Sequence, residues 1–282
     1  MTPTARPYQG RTVTFATMHG KEQLAAEPFR QMLGARVTTP NGLNTDLLGT
    51  FAGDIPRTLS PIDAARVKAR LGMHIDNTAL GLASEGTFAA TPNSPGLVEN
   101  TELLLFIDDI LQIEVVEISR VMSPLPGPRT ISDRDAGLEF ATRIGFPRQG
   151  IVLPTSDGNG PTWQKELRTA AELTRALDAL FATKNEVTIQ PDYRAHACPT
   201  RAEHLRALAA QLSQRLATPC PACSAPGWGP IASEPGLPCR DCGEPTELEA
   251  YTVEGCARCS HRARTQVAAR TASPEWCAHC NP

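Results

Sequence analysis

"ELLLFIDDILQIEVVEISR", residues 102–120, decides what kind of sheet this chain can build. Two runs rich in Leu, Ile and Val, Glu102–Asp109 and Ile113–Arg120, are separated only by Ile110–Gln112. Parallel strands need a crossover of about a dozen residues, so so short a gap reads as a long antiparallel hairpin. Around it, strands alternate with helices. "TVTFAT" (12–17) is strand-like, "KEQLAAEPFRQMLG" (21–34) has helical spacing with a glycine stop, and "ARVTTP" (35–40) is a short second strand. "SPIDAARVKARLG" (60–72) reads as a helix with Ser60 as N-cap, Pro61 in the first turn and Gly72 at the end. "TALGLAS" (78–84) is a buried strand.

Beyond the hairpin, a helix near 133–144, a strand "GIVLP" (150–154) and a helix over 161–182 are expected. A strand "EVTIQPD" (186–192) and a helix from about Arg201 to Leu216, capped by Thr200, complete the pattern. Strands separated by helices imply an α/β fold, and the hairpin makes its sheet mixed, flanked by helices. We therefore expect an α/β domain over residues 1–216, then a small module over 217–282.

That module is defined by its thiols. Eight of nine cysteines form four CxxC pairs: Cys220/Cys223, Cys239/Cys242, Cys256/Cys259 and Cys277/Cys280. A two-residue gap lets one tight turn aim two sulfurs at one ion, and a second turn completes a tetrahedral zinc site. Two structural zinc ions are expected. Spacing favours sequential ribbons, 220–242 and 256–280, over a cross-braced pairing of first with third and second with fourth. Glycine and proline crowd the stretch, so the metal must supply much of its stability. Cys198 stands apart as a half-buried thiol.

Composition excludes some functions. Hydrophobic content of 41%, charge of 20% and net charge −3 are ordinary for a soluble protein and provide no global attraction to nucleic acid or anionic membranes. No apolar run nears the length of a membrane span and no secretory signal is visible, so a cytoplasmic protein with no membrane partner is expected.

In α/β sheets, ligands gather where strand ends meet helix N-termini. After the first strand, "ATMHGK" offers Thr17, His19 and Lys21 there, with Gly20 permitting close backbone approach. Asp63 falls in the first turn of the next helix, and Lys68 lies about 140° further round, so both reach one site only if the helix crosses it. "GLASEG" (81–86) delivers Glu85 at a strand end, suited to a general base or Mg²⁺ ligand. In "QPDYRAHACPTR" (190–201), Asp192, Arg194 and His196 alternate after a strand, and Arg201 opens a helix. Such a set suits phosphate or carboxylate capture. The other histidines, His74, His204, His261 and His279, read as structural or exposed.

The "TMHGK" loop, the "DAARVKAR" helix (63–70) and the "GLASEG" strand together resemble the inosine/xanthosine triphosphate pyrophosphatase superfamily over residues 12–120. That resemblance implies hydrolysis of a nucleoside triphosphate with Mg²⁺. Thr17, Lys21 and Lys68 would contact phosphate, while Asp63 and Glu85 would hold metal or position water. The whole chain, with "TMHGKE", "GTFAGDIPR" (49–57), "GLASEG" and the cysteine module, resembles an uncharacterised bacterial family known only as a domain of unknown function. Two functions are therefore expected. One is a metal-dependent phosphohydrolase acting on a phosphorylated small molecule. The other is a ligand-sensing protein whose zinc ribbons dock on nucleic acid or a protein partner.

Overall fold

The computed structural model describes residues 6–18, 20–43, 58–90, 97–123, 126–155 and 163–282. Strand β1 (Thr12–Ala16) lies between β2 (Arg36–Thr38) and β3 (Leu80–Ala90), both parallel to it. β4 (Val98–Asp108) and β5 (Ile113–Ser123) extend the sheet antiparallel, in the order β2-β1-β3-β4-β5. The hairpin read from residues 102–120 is present, with Asp108 opposite Ile113. The Asp108 carboxylate closes it by accepting from the backbone N–H of Ile110 at 2.8 Å and of Leu111 at 3.0 Å.

Alternation along the strands divides the core in two. Val13, Phe15, Leu80, Leu82, Leu104 and Phe106 form one face, covered by α1 (Glu22–Leu33) and α5 (Pro199–Ala217). Ala16, Ala83, Leu103, Leu105 and Ile107 form the other, covered by α2 (Pro61–Asp76). The α2 face is built from small residues. A Cβ on Gly72 would stand 3.2 Å from the Ala16 Cβ, and one on Gly81 would stand 2.5 Å from the Met73 sulfur. Gly72 therefore serves close helix–sheet packing and not termination, which corrects the sequence expectation. The helix runs on to Asp76 and ends at Asn77, in the left-handed region at φ 49°.

Two other boundaries differ. The helix expected over 161–182 is confined to α4 (Ala170–Phe181), because Thr169 and Glu172 close a capping box there; Trp163–Gln164 form a short strand, β8. The last long helix is capped by Cys198 with Pro199 in its first turn, so Thr200 already lies inside it. The "GTFAGDIPR" run and His19 lie outside the described residues.

Residues 129–191 form a second sheet, ordered β6-β9-β7-β8, from β6 (Arg129–Ile131), β7 (Ile151–Pro154), β8 and β9 (Val187–Pro191). Helices α3 (Arg134–Ile144) and α4 pack on it around Phe140, Leu153, Leu177 and Ile189. After β9 the chain returns to the first sheet: the Tyr193 ring stacks on Phe88 at 4.3 Å, and α5 then crosses β4 and β5. At the far end of α5, Arg215 binds Glu117 of β5 at 2.7 Å and the Gly227 carbonyl at 3.3 Å, joining the cysteine module to the sheet. No helix among the described residues is long and apolar enough to cross a membrane.

One ionic contact lies deep in this assembly. Glu102 of β4 is 0% exposed and receives Arg201 of α5, Nε to Oε1 at 2.6 Å, while the Arg201 Nη1 reaches the Tyr193 carbonyl at 2.8 Å. Gly86 makes room for the pair, since a Cβ there would lie 2.5 Å from the guanidinium. Removing one partner of such a pair strands a buried charge at about 3–5 kcal/mol, whereas replacing both can be neutral. Arg201→Met is therefore expected to lower stability by that order in urea unfolding, and Arg201→Met/Glu102→Leu to recover most of the loss. A single variant as stable as the parent would contradict this placement.

Candidate functional site

β1 is the branch point of the sheet: β2 leaves it on one side and β3 on the other, with α1 and α2 on opposite faces. Such a switch point opens a crevice at the carboxyl ends of the strands. Register leaves a strand edge unpaired beside it. The last β1–β3 pair is Ala16 with Ala83, yet β3 continues to Ala90 along β4, so the edge of Ser84–Ala90 facing away from β4 has no strand partner among the described residues. Ser84 then turns toward the α1 face and Glu85 toward the α2 face.

Lys21 reaches this edge from the N-cap position of α1, where no side chain caps the helix. Its Nζ donates to the Ser84 Oγ at 3.0 Å. On the other face, Lys68 of α2 forms an ion pair with Glu85, the two residues 8% and 6% exposed. Arg201, Glu102, Lys68 and Glu85 all act on the Lys21 charge. The residue as a whole keeps some solvent contact, but the ammonium is closely surrounded, and burial lowers its pKa to about 7. Arg201 and Lys68 push in the same direction, and Glu102 and Glu85 only partly offset them. The five groups comprise three cations and two carboxylates, an excess of one positive charge in a desolvated place.

Two open clefts flank the β1–α1 loop. One, of about 450 Å³, is lined by Thr17, Met18, Gly20 and the Thr39–Leu43 loop. The other, of about 550 Å³, lies between that loop and α5 and is lined by Met18, Gly20, Gln23, His196 and Pro199 among others. Thr17 is buried at the rim of the first.

Of the residues picked out from sequence, the fold thus brings together Lys21, Lys68, Glu85 and Arg201, with Thr17 and His196 bordering the adjoining clefts. It does not bring in Asp63. That carboxylate lies on the outer face of α2, accepting from the Ser60 hydroxyl and from Arg66, each at 2.6 Å, and these bonds hold it below the usual carboxylate range. It supports the N-cap, Ser60, whose hydroxyl also accepts from the Asp63 backbone N–H. Asp192 and Arg194 are also corrected: they satisfy each other through a two-pronged pair, and Glu166 takes the Arg194 Nη1 at 2.7 Å and the His196 Nε2 at 3.1 Å. Arg201 is spoken for by Glu102. Sequence reasoning missed Ser84, Asn100 and Glu102; Asn100 and Glu102 share the alternation of Leu104 and Phe106 and so face the core, but Glu99 and Thr101 beside them mask that signal.

The cysteines form two quartets, Cys220/Cys223/Cys256/Cys259 and Cys239/Cys242/Cys277/Cys280, with sulfurs within 4.8 Å of one another. The pairing is cross-braced, not sequential. Three antiparallel strands, β10 (Gly229–Pro235), β11 (Glu249–Gly255) and β12 (Arg262–Gln266), form a meander. The first CxxC precedes β10 and the third follows β11, so both stand at one end; the second follows β10 and the fourth follows β12, so both stand at the other. Sequence spacing carries no information on that. The sulfurs fit the ion: Cys220–Cys259 and Cys239–Cys280 are 3.9 Å apart, Cys223–Cys256 3.6 Å and Cys242–Cys277 3.5 Å. A zinc tetrahedron with Zn–S near 2.3 Å has edges of about 3.8 Å, whereas a disulfide would need about 2.05 Å. Backbone N–H groups of Arg258 and Cys259 also point at the Cys256 sulfur, at 3.2 and 3.4 Å, as thiolate ligation requires. Among the described residues no other group of three or more metal-ligating side chains converges, so no carboxylate cage for Mg²⁺ accompanies the crevice.

The meander has a small apolar core, chiefly Leu237, Ala250 and Ala272, too little to hold three strands alone. Elemental analysis should find two zinc ions per chain. Cys220→Ser/Cys256→Ser should lose one of them and Cys220→Ser/Cys239→Ser both; sequential pairing would produce the reverse pattern.

No curated protein matches the chain. One family does, over residues 68–282, a stretch that takes in Lys68, Glu85, Glu102, Arg201 and all eight paired cysteines. Covering most of the α/β part and the whole thiolate module, it is described as a domain of unknown function, and the chain belongs to that family, DUF6671.

Proposed function

We propose that the crevice at the β1/β3 switch point binds the phosphate chain of a nucleotide or similar phosphorylated small molecule, and that the reaction performed there is hydrolysis of a phosphoanhydride bond. The observation that carries the reading is the uncompensated Lys21 ammonium, lowered to about 7 beside Ser84, Lys68 and the open N-terminus of α1. An anion would supply the missing counter-charge and accept from helix N–H groups. Glu85 is the carboxylate placed to orient a water, with Lys68 paired to it and lending a second cation to the phosphate. Mg²⁺ would arrive with the polyphosphate and neutralise its developing charge. The cysteine quartets share no residue with this site and would act as structural clamps, leaving the β12 face open for a nucleic-acid or protein partner.

A second reading, a sensor that binds without turnover, is supported by one feature: Glu85 and Glu102 are both already engaged by cations. The two readings separate in one experiment. A panel of nucleoside triphosphates with Mg²⁺ should raise the melting temperature and release phosphate or pyrophosphate, with release abolished in Glu85→Gln. Stabilisation without release would favour the sensor. If neither occurs, the crevice is not a phosphate site.

Binding should depend on pH in a defined direction. An anion raises the Lys21 pKa from about 7, so above that pH binding must take up a proton. Affinity is expected to be level just below pH 7 and to fall up to about tenfold per unit above it. Lys21→Met should remove this slope and weaken binding about 10- to 100-fold, the worth of one charged hydrogen bond.

A further inference from the structure

Two strands away from the crevice, a different set of side chains lines up between β5 and α5. The Ser119 Oγ lies 2.9 Å from the His204 Nε2, and the His204 Nδ1 lies 2.8 Å from the Asn100 Oδ1. The orientation of each group follows from its neighbours. The Asn100 Nδ2 donates to Glu102 at 2.8 Å and to the Thr87 carbonyl at 3.3 Å, both of which can only accept. The Asn100 oxygen must therefore face the ring, so His204 carries its proton on Nδ1 and presents a bare Nε2 to the serine hydroxyl. Glu102 is in turn locked by Arg201. His204 and Asn100 are buried, whereas Ser119 keeps partial solvent contact on β5, the terminal strand of its sheet.

We propose that Ser119, His204 and Asn100 form a second site, in which a serine nucleophile, its base and an orienting amide act on a small carboxylic ester or similarly activated acyl compound. This is the arrangement nucleophilic catalysis needs: hydroxyl to base to orienter, each within hydrogen-bond reach. Burial, the largest influence, lowers the His204 pKa; Glu102 opposes and Arg201 reinforces it, so the ring is neutral at neutral pH and its Nε2 is free to accept a proton. In the first step the Ser119 Oγ bonds to the ester carbonyl carbon and its proton passes to the His204 Nε2. The C–O bond to the leaving alcohol then breaks, and that alkoxide takes the proton from Nε2. Water attacks the acyl-serine, giving a proton to Nε2 that returns to the Ser119 oxygen as the carboxylic acid departs. Alternate backbone N–H groups of the outer β5 edge point away from β4 and can donate to the oxyanion. Val121, exposed on the same face two residues on, offers apolar surface to the acyl chain.

The test uses the full chain and a fluorophosphonate probe, with peptide mapping by mass spectrometry and p-nitrophenyl acetate hydrolysis measured in parallel. The expected result is covalent label on Ser119, absent in Ser119→Ala, with ester hydrolysis in that variant falling to the solution rate. His204→Gln, which keeps a hydrogen-bonding side chain in place, should slow hydrolysis on the order of a hundredfold or more. Natively folded parent protein that takes no label at Ser119 overturns the proposal, as does a Ser119→Ala variant that hydrolyses the ester at the parent rate.

Discussion

The contact between Glu102 and Arg201 is the constraint around which the α/β part is arranged. Neither side chain can be where it is without the other, because a lone carboxylate enclosed between sheet and helix would be stranded at a cost of several kcal/mol. The pair spans 99 positions of chain and attaches α5 to β4 after the excursion through the second sheet. Everything downstream inherits that attachment. The helix axis is set, so His204 meets Asn100 one turn further along, and Arg215 at the far end meets Glu117 and anchors the thiolate module.

The same pair shapes the crevice electrostatically. Seen from Lys21, Glu102 only partly offsets Arg201 and Glu85 only partly offsets Lys68, and burial, the largest influence, lowers the lysine's pKa further. Water cannot relieve it fully, so its proton is held loosely. The structural ion pairs and the perturbed lysine are thus parts of one arrangement.

The cysteine module illustrates a different kind of dependence. Each CxxC turn is a local object, written in four residues and stabilised by its own backbone bonds, as in the Ser224 N–H donating to the Cys220 carbonyl at 2.8 Å and Gly243 to Cys239 at 2.9 Å. What joins turns into quartets is the meander. Three antiparallel strands bring alternate turns to the same end, so an ion in each quartet would staple two strand ends and a pair of ions would bracket the sheet.

Local chemistry was legible in the chain and long-range convergence was not. The hairpin at 102–120, the α/β class, the helix cap at Ser60, and the metal-ligating pattern of the CxxC pairs all depend on residues within a few positions of each other. Gly72 misled because a glycine that ends a helix and one that lets a helix touch a sheet are written identically. Asp63 misled because the helix's rotation about its own axis, which turns Lys68 inward and Asp63 outward, is set by packing of Ala65, Ala69 and Gly72 on Ala16 and Ala83. The amino-acid order by itself therefore determined which elements form and which metal chemistry the thiols can perform, since hydrogen-bond periodicity and turn geometry act over short separations. Only the tertiary structure decided which thiols converge into one quartet, which carboxylates are paired with cations and which lysine has its pKa lowered by burial, because those depend on distances between groups tens of residues apart.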